Sequence, residues 1–239
     1  MYLADDLRIH DLALVHEATE TVILGDTHIG EEDALVNQGI FIPQFGFKDL
    51  YKRTQSILAD EQPGRIILNG DVKHNFGRIS DDEWDNVHTY IDLLRSHGDV
   101  LIIRGNHDNM LDPILEKADV AVDTHVRIGD IAVCHGHKLI DALEDSYQTL
   151  IIGHEHPAIT LRDGERTEAF KAFIQARTDD KTILVMPSMN QLREGSDLLQ
   201  EQLMSPYLDD VGLAEADIVI IDEEKEARRF GKLKHIRNA

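Results

Sequence analysis

The sequence predicts an α/β fold on two observations. Short, nearly continuous runs of Val, Ile and Leu recur along the chain, which indicates strands buried on both faces. Stretches of helical period lie between these runs, and such alternation is typical of sheets covered by helices. The composition agrees, because 42% hydrophobic and 29% charged residues are ordinary for a folded protein.

The predicted strands and helices follow one another along the chain. The strands are Thr21–Leu24, Arg65–Leu68, Val100–Ile103, Ile131–Val133, Leu150–Ile152, Ile183–Val185 and Ile218–Ile221. Helices are predicted over Lys48–Glu61 and Ser80–His97. Ser80 and Glu83 have the spacing of a capping box at the start of the second helix, and Gly98 suits its end.

The second half of the chain predicts more antiparallel pairing. Two strand-like stretches within Val122–Val133 flank Gly129-Asp130, which favours a hairpin. Residues 163–181 and 188–216 carry weaker patterns, and we expect surface helices and loops there. No repeat or linker divides the chain, so we expect residues 1–239 to form a single domain.

The composition also restricts the class of protein. No apolar run approaches the roughly 20 residues of a membrane span, and the N-terminus lacks the pattern of a signal peptide. We therefore expect a cytoplasmic protein that has no membrane partner. Cys134 is the only cysteine, so a metal site would use His, Asp, Glu and Asn rather than thiolates.

The net charge of −21 is far from neutral. Surface acid of this density suits a salty cytoplasm, so we hypothesise a halophilic archaeon as the source, with an ordinary acidic protein or a basic partner as alternatives. The charge also argues against a large DNA-binding face, which is normally basic. The segment Lys225–Arg237 is basic in this acidic chain, because it contains six Lys or Arg residues and one acid, Glu226. We favour an exposed tail or edge strand there over a contact with phosphate.

A polar cluster follows five of the predicted strands, at or shortly beyond the strand end. The clusters are Gly25-Asp26-Thr27-His28, Gly70-Asp71 with Lys73-His74, Gly105-Asn106-His107-Asp108, His135-Gly136-His137 and Gly153-His154-Glu155-His156. Ligand sites of α/β sheets lie beyond the carboxyl ends of strands, so we expect these clusters to share one crevice.

These residue types suit a divalent metal. Carboxylate oxygen, amide oxygen and imidazole nitrogen together favour manganese, iron or zinc. Any one cluster alone would be explained as a turn or a surface histidine. The set is more informative, because seven of the 13 histidines lie within it.

In this order the motifs resemble those of the calcineurin-like metallophosphoesterase superfamily. The family pattern is Asp-x-His, Gly-Asp, Gly-Asn-His-Asp/Glu, His and Gly-His-x-His, and every element occurs between Gly25 and His156. The resemblance implies two packed mixed β-sheets flanked by helices, a four-layer αββα sandwich, with a dimetal centre at one edge. It also implies a hydrolase that cleaves phosphoester bonds.

The resemblance implies a role for individual residues. The first metal would be held by Asp26, His28 and His156, the second by Asn106, His135 and His154, and Asp71 would bridge both. His135 is preferred to His137 because the family's ligand directly follows its strand. For His137 three roles remain possible: support of a ligand, contact with the substrate, or an ordinary loop position. The two divalent ions are expected to be Mn²⁺, with Fe, Zn or Ni as alternatives.

The same comparison implies the remaining site residues. His107 would protonate the leaving group or stabilise its charge, and Asp108 would orient the imidazole of His107. His74 matches a histidine that DNA-repair nucleases of this superfamily place near the substrate phosphate, and Asn106 is a further candidate contact. Lys73 is interpreted either as a phosphate contact or as a solvated loop residue.

The resemblance favours the SbcD-related branch, with its small archaeal single-domain and PdeM-like members. Two departures weaken it: Lys73 stands where an aromatic residue is usual, and 239 residues leave no room for the nucleases' further DNA-binding domain. Three functions therefore stay open: a nucleic-acid phosphodiesterase, a phosphoesterase for small nucleotides or other small phosphoesters, and a non-catalytic protein-binding scaffold. The complete ligand set favours an enzyme, and homologous enzymes suggest a homodimer.

Overall fold

The computed structural model describes residues 1–40, 42, 45–77, 79–143, 147–164, 166–192, 195–200 and 202–236. Two mixed β-sheets pack against each other and are flanked by helices, which confirms the predicted fold class. Within the described ranges, every helix is too short or too polar to cross a bilayer.

The first sheet is formed by the N-terminal part of the chain. Its strands, in spatial order, are β1 (Tyr2–Ala4), β2 (Leu7–His10), β3 (Ala13–His16), β4 (Thr21–Leu24), β5 (Arg65–Asn69), β6 (Asp99–Ile103) and β7 (Ala121–Asp123). Pairing is antiparallel from β1 to β4 and parallel from β4 to β7. The helices in this part are α1 (Glu31–Asn37), α2 (Gly46–Glu61), α3 (Asp81–Arg95) and α4 (Asp112–Ala118).

The second sheet is formed by the C-terminal part. It contains β8 (His125–Ile128), β9 (Ile131–Cys134), β10 (Thr149–Ile152), β11 (Pro157–Asp163), β12 (Arg166–Arg177), β13 (Thr182–Val185), β14 (Ser196–Asp197), β15 (Asp217–Ile221) and β16 (Ala227–Lys232), and α5 (Leu233–Ile236) follows. The strands β9, β10 and β13 are parallel, whereas β12 pairs antiparallel with β11, β13 and β15.

The main core lies between the two sheets and under the helices of the first. Val133 and Ile151 point from the second sheet into this core, where Ile57 of α2 and Ile91 of α3 also lie. Their strand neighbours point the other way, as the period of 2 requires, into a second apolar cluster that contains Leu208 and Leu233. Irregular chain and a short helix, rather than long helices, thus cover the outer face of the second sheet.

Most predicted elements are confirmed to within a residue or two. Ser80 caps α3 by accepting a hydrogen bond from the Glu83 backbone N–H, as expected, whereas the Glu83 carboxylate accepts from Asn75 rather than completing a capping box. The hairpin about Gly129 is confirmed as β8 and β9. Val122 is an exception, because it belongs to β7 of the other sheet.

The expectation of surface helices and loops over 163–181 is wrong. Residues 166–177 form the long strand β12, which pairs with three other strands. The sequence pattern was weak because β12 contains Ala, Lys and Glu, which are uncommon in strands. Hydrogen bonding to strands on both sides of β12 outweighs this low strand propensity. Over 188–216 the described chain is mainly loop, as expected.

The basic C-terminal stretch lies on an exposed strand at the margin of the second sheet. Strand β16 pairs with β15, and its charges contact the chain's own acids, for example Arg228 with Asp222 and Lys232 with Asp217. The favoured interpretation as an edge strand is confirmed for 227–232. Arg237 lies outside the described residues.

Candidate metal centre

The carboxyl ends of strands from both sheets meet at one edge of the molecule. Strands β4, β5 and β6 lead into the clusters at Asp26, Asp71 and Asn106, and strands β9 and β10 lead into those at His135 and His154. The expected convergence follows from this parallel arrangement, since the ends of parallel strands lie side by side.

One group of ligand atoms comprises Asp26, His28, Asp71 and His156. A nitrogen or oxygen atom from each lies within 4.8 Å of the others. His156 Nε2 is 3.1 Å from Asp26 Oδ1, and His28 Nε2 is 3.6 Å from Asp71 Oδ2. All four residues are buried, so their charges act in a medium of low polarity.

The two Nε2 atoms of His28 and His156 face each other across only 3.2 Å. Neutral imidazoles carry one lone pair each, and a divalent cation binds such nitrogens when they converge with carboxylates. The donor set of this group therefore fits a metal ion.

A second group comprises Asp71, His135 and His154, again with candidate atoms within 4.8 Å of each other. His135 Nε2 is 3.4 Å from Asp71 Oδ1 and 3.1 Å from the amide oxygen of Asn106. The carboxylate of Asp71 thus belongs to both groups, with one oxygen toward His28 and the other toward His135.

The electrostatics of the centre favour a positive charge between the carboxylates. Burial acts against ionisation of Asp71, but the hydrogen bond and charge of His135, with the charge of His28, lower its pKa below its usual range. Burial likewise opposes charge on His135, yet Asp71 and Asp26 raise its pKa to about 9. Burial and the neighbouring His135 lower the pKa of His154 to about 4, which keeps its nitrogen lone pair available.

Five candidate ligands have left-handed backbone conformations that non-glycine residues rarely adopt. The φ angles are 54° at Asp26, 43° at His28, 49° at Asp71, 69° at His154 and 46° at His156. Such conformations persist where surrounding structure holds them, and they are concentrated at functional sites.

The loops that carry these residues approach each other closely. Gly70 has φ of +78°, and a Cβ atom there would collide with the ring of His135. A Cβ atom at Gly105 would collide with the carboxylate of Asp71. Glycine at these two places is therefore needed for the loops after β5 and β6 to reach the centre.

Comparison with known proteins decides the family. The sequence profile of the family "Calcineurin-like phosphoesterase" matches residues 20–221, most of the chain. The chain belongs to the calcineurin-like phosphoesterases. It is therefore a hydrolase of phosphoester bonds, in a family that typically uses divalent metals.

A solved structure agrees with this fold. The nuclease MPE of Pseudomonas putida is 18% identical, the alignment covers 94% of each chain, and the TM-score is 0.67. Yfce, a phosphoesterase from E. coli, is 13% identical over 89% of this chain and 98% of its own, with a TM-score of 0.45. Among proteins of curated function, no sequence matches.

In this calcineurin-like phosphoesterase, Asp108 contacts backbone rather than the imidazole that it was expected to orient. Its buried carboxylate accepts hydrogen bonds from the backbone N–H groups of Asp71 (2.9 Å), Val72 (2.8 Å) and Gly105 (2.7 Å). It therefore ties together the loops after β5 and β6.

His107 is instead oriented by main chain. Its Nδ1 donates to the carbonyl of His74 at 2.5 Å, and its own backbone N–H donates to Asp71 Oδ1 at 2.9 Å. These bonds leave Nε2 on the metal-centre side, 3.9 Å from Asp71 Oδ2. The ring nitrogens of His28, His74 and His107 form a further close group at the mouth of the centre.

Lys73 of the phosphoesterase takes neither of its two expected positions. Its side chain is fully buried, and its ammonium donates to the carbonyls of Asn75 and of His107, the latter at 2.8 Å. Burial lowers the pKa of Lys73, against the attraction of Glu83, Asp108 and Asp71. The Lys73 ammonium thus stabilises the loop of His107 through main-chain hydrogen bonds and does not face the crevice.

Several residues near the centre were given no role in the site by the sequence. Phe76 lies with its ring centroid 3.8 Å from that of His107 and is 56% exposed. Ser188 donates to the carbonyl of Asp26 at 2.6 Å, and Asn190 donates to Glu31 at 2.7 Å.

Proposed function

We propose that this chain is a phosphodiesterase of the SbcD-related branch that uses two divalent cations, Mn²⁺ first among them, to hydrolyse phosphodiester bonds of nucleic acid. One observation carries the proposal. The two oxygens of the Asp71 carboxylate face two different groups of ligand atoms, which is the arrangement that a bridging carboxylate requires.

The proposed ligands divide between two ions. Asp26, His28 and His156 would hold the first ion, Asn106, His135 and His154 would hold the second, and Asp71 would be shared between them. When bound, such a pair of cations supplies Lewis-acid stabilisation of phosphate oxygens and activation of water at neutral pH. The neutral amide of Asn106 adds no negative charge to that centre.

The chain's own residues supply proton transfer and positioning. The bond from Nδ1 to the carbonyl of His74 fixes the ring of His107, so that in its protonated form Nε2 donates to the leaving oxygen. His74 and Asn106 contact the substrate phosphate in this proposal. Lys73 and Asp108 act as positioning residues, since their bonds go to main chain.

The choice of nucleic acid as substrate rests on the grouping of His74 with His28 and His107, since nucleases of the superfamily place a histidine there. The Pseudomonas putida enzyme with the same fold is also a nuclease. The net charge of −21 favours the second candidate, a phosphoesterase for small nucleotides, over one that binds long duplexes.

The test is cleavage of end-labelled single- and double-stranded DNA with Mn²⁺ in molar KCl. Wild-type protein is expected to cut, and His107→Ala to lose about 10²- to 10⁴-fold in rate while it still binds metal. His97→Ala, at the far end of α3, is the matched control and is expected to keep full activity.

Two results would contradict the proposal. Intact DNA from folded, metal-loaded protein would rule out the nuclease and leave small phosphoesters as substrates. Faster hydrolysis of p-nitrophenyl phosphate than of bis-p-nitrophenyl phosphate would rule out a diesterase.

Three further expectations accompany the proposal: a cytoplasmic location, a homodimer and a halophilic archaeal source. Light scattering of the purified protein tests the dimer directly, since a monomeric mass would contradict it.

A further inference from the structure

A cavity of about 290 Å³ adjoins the candidate metal centre on the side of the loop after β9. Asn106 and His135 lie on its wall, so it opens beside the second group of ligand atoms. The rest of the wall includes Arg104, Asn109, His137 and Lys138, none of which the proposed reaction uses.

The charge of this cavity is opposite to that of the molecule. Among its described lining residues, Arg104 and Lys138 are basic and there is no carboxylate, in a chain whose net charge is −21. On the His28 side, a cavity of about 310 Å³ is lined by Glu31, Glu32, Asp33 and Asp82, with Lys48 as the only base among its described lining residues. An anionic group beside the centre is therefore attracted toward Lys138 and repelled from the His28 side.

The cavity also offers hydrogen-bond donors. Arg104 donates from Nη1 to the carbonyl of Asp108 at 3.3 Å and from Nη2 to Asp112, which uses two of the five N–H groups of a guanidinium. Nδ1 of His137 is buried, and no described residue gives it a hydrogen bond. A buried polar atom of this kind is normally satisfied by a hydrogen-bond partner.

We propose that this cavity is a subsite for a second phosphate group of the substrate, next to the phosphate that is hydrolysed. Lys138 supplies the positive charge, Arg104 supplies N–H donors beside its ion pair with Asp112, and the imidazole of His137 on the cavity wall supplies a further polar contact. The volume corresponds to about ten water molecules at roughly 30 Å³ each, which is room for a phosphate and part of a sugar. The inference rests on the proposed phosphodiesterase function, and it narrows the substrate to chains or nucleotides with more than one phosphate.

The test compares thymidine 5′-(p-nitrophenyl phosphate) with the same compound carrying a 3′-phosphate, using full-length Mn²⁺-loaded protein at moderate salt. We expect wild type to show at least a tenfold higher kcat/KM for the 3′-phosphorylated compound. Lys138→Ala and His137→Ala are each expected to reduce this preference several-fold. Lys48→Ala removes an exposed lysine on the opposite, acidic side and is expected to keep the preference.

Each outcome decides the inference. The inference is overturned if wild type shows no preference for the 3′-phosphorylated compound. It is also overturned if Lys138→Ala and His137→Ala both keep the wild-type preference. A third substrate, with an internal phosphodiester in place of the 3′-phosphate, identifies where the second phosphate comes from. If wild type prefers this compound as strongly as the 3′-phosphorylated one, the natural substrate is a polynucleotide. If it prefers only the terminal phosphate, the natural substrate is a small nucleotide.

Failure of the phosphodiesterase proposal is recognised separately. If folded, metal-loaded protein cleaves none of these compounds, binding of thymidine 3′,5′-bisphosphate and of thymidine 5′-phosphate is compared by calorimetry. Tighter binding of the bisphosphate that is lost in Lys138→Ala supports the subsite, and equal affinity overturns it.

Discussion

At the scale of single residues, the centre depends on strained backbone that neighbouring loops hold in place. A left-handed non-glycine residue costs about 1–3 kcal/mol, and five candidate ligands have that conformation. Backbone bonds between loops offset this cost: Asp26 N–H donates to the carbonyl of Gly70 at 3.0 Å, and His28 N–H to that of Asp71 at 2.9 Å. The candidate ligands are therefore oriented by the fold itself.

Lys73→Met tests positioning at this scale. The substitution keeps length and burial but removes the donors to the carbonyls of Asn75 and His107, so the His107 loop shifts. We expect kcat for a phosphodiester to fall about 10- to 100-fold with little change in KM, because small misplacements slow the chemical step. Steady-state kinetics on protein of native circular dichroism checks this.

The control for this variant is Lys48→Met, at an exposed lysine of α2, which should leave both constants unchanged. A rise in KM with kcat preserved would instead show that Lys73 contacts the substrate.

Which residues lie together at the candidate centre was largely predictable, whereas their hydrogen-bond partners were less so. Spacing after strands located Asp26, Asp71 and His135, because strand ends meet wherever strands are parallel. The partners of Lys73 and Asp108 are main-chain atoms of other loops, and nothing in the local sequence encodes those contacts.

At the scale of elements, ion pairs attach α2 to the antiparallel half of the first sheet. Glu61, the last residue of α2, accepts hydrogen bonds from both terminal nitrogens of Arg8 on β2, at 2.9 and 2.5 Å. His10 on the same strand contacts the same carboxylate. Burial raises the pKa of Glu61, but the bonds from Arg8 and His10 lower it below its usual range.

Glu61→Gln tests this attachment through its pH dependence. A carboxyl group whose pKa is lower in the folded than in the unfolded protein stabilises the fold above the unfolded pKa, which is about 4.3 for Glu. This stabilisation is lost as the pH falls through the folded pKa. We expect the variant to lose about 1–2 kcal/mol of unfolding free energy at pH 7, and the difference from wild type to shrink below pH about 4.

Urea unfolding at stepwise lower pH measures this difference. Glu116→Gln, at an exposed position of α4, should differ little from wild type at any pH. A Glu61→Gln deficit that is constant with pH would show that the carboxylate charge does not contribute.

Elements were predicted well where burial is uniform and poorly where it varies along a strand. Strands β4, β5 and β10 are nearly continuous apolar runs buried on both faces, so they are visible in the sequence. Strand β12 is buried over Ala172–Ala176 but half-exposed or exposed over 167–171, and this change of environment obscures its period.

At the scale of the whole molecule, one apolar cluster joins the two sheets. Residues of both sheets, such as Ile67 and Val133, lie in it together with the helices of the first sheet. We propose on this basis that residues 1–239 form one domain. Unfolding should then give coincident transitions by circular dichroism and by fluorescence of Trp84, the only tryptophan.

The net charge predicts a dependence of stability on salt. Between 0.1 and 1 M salt the Debye length falls from about 10 Å to about 3 Å, which screens the repulsion among surface acids. We expect the urea midpoint to rise with KCl, most steeply below about 1 M. Urea titrations at several KCl concentrations measure it, and a midpoint that is flat or falls with salt would contradict adaptation to a salty cytoplasm.

The path of the chain through the two sheets has a consequence for synthesis. Strands β1–β7 complete the first sheet before β8 begins the second, and the two groups of candidate ligands that share Asp71 each draw on both halves. A nascent chain that has emerged from the ribosome only as far as Thr124 carries Asp26, His28 and Asp71 without the histidines of the other half. Because the N-terminal part of a chain emerges first, neither of these two groups of candidate ligands is completed by residues of the first sheet alone, and both are complete only once translation has passed His156.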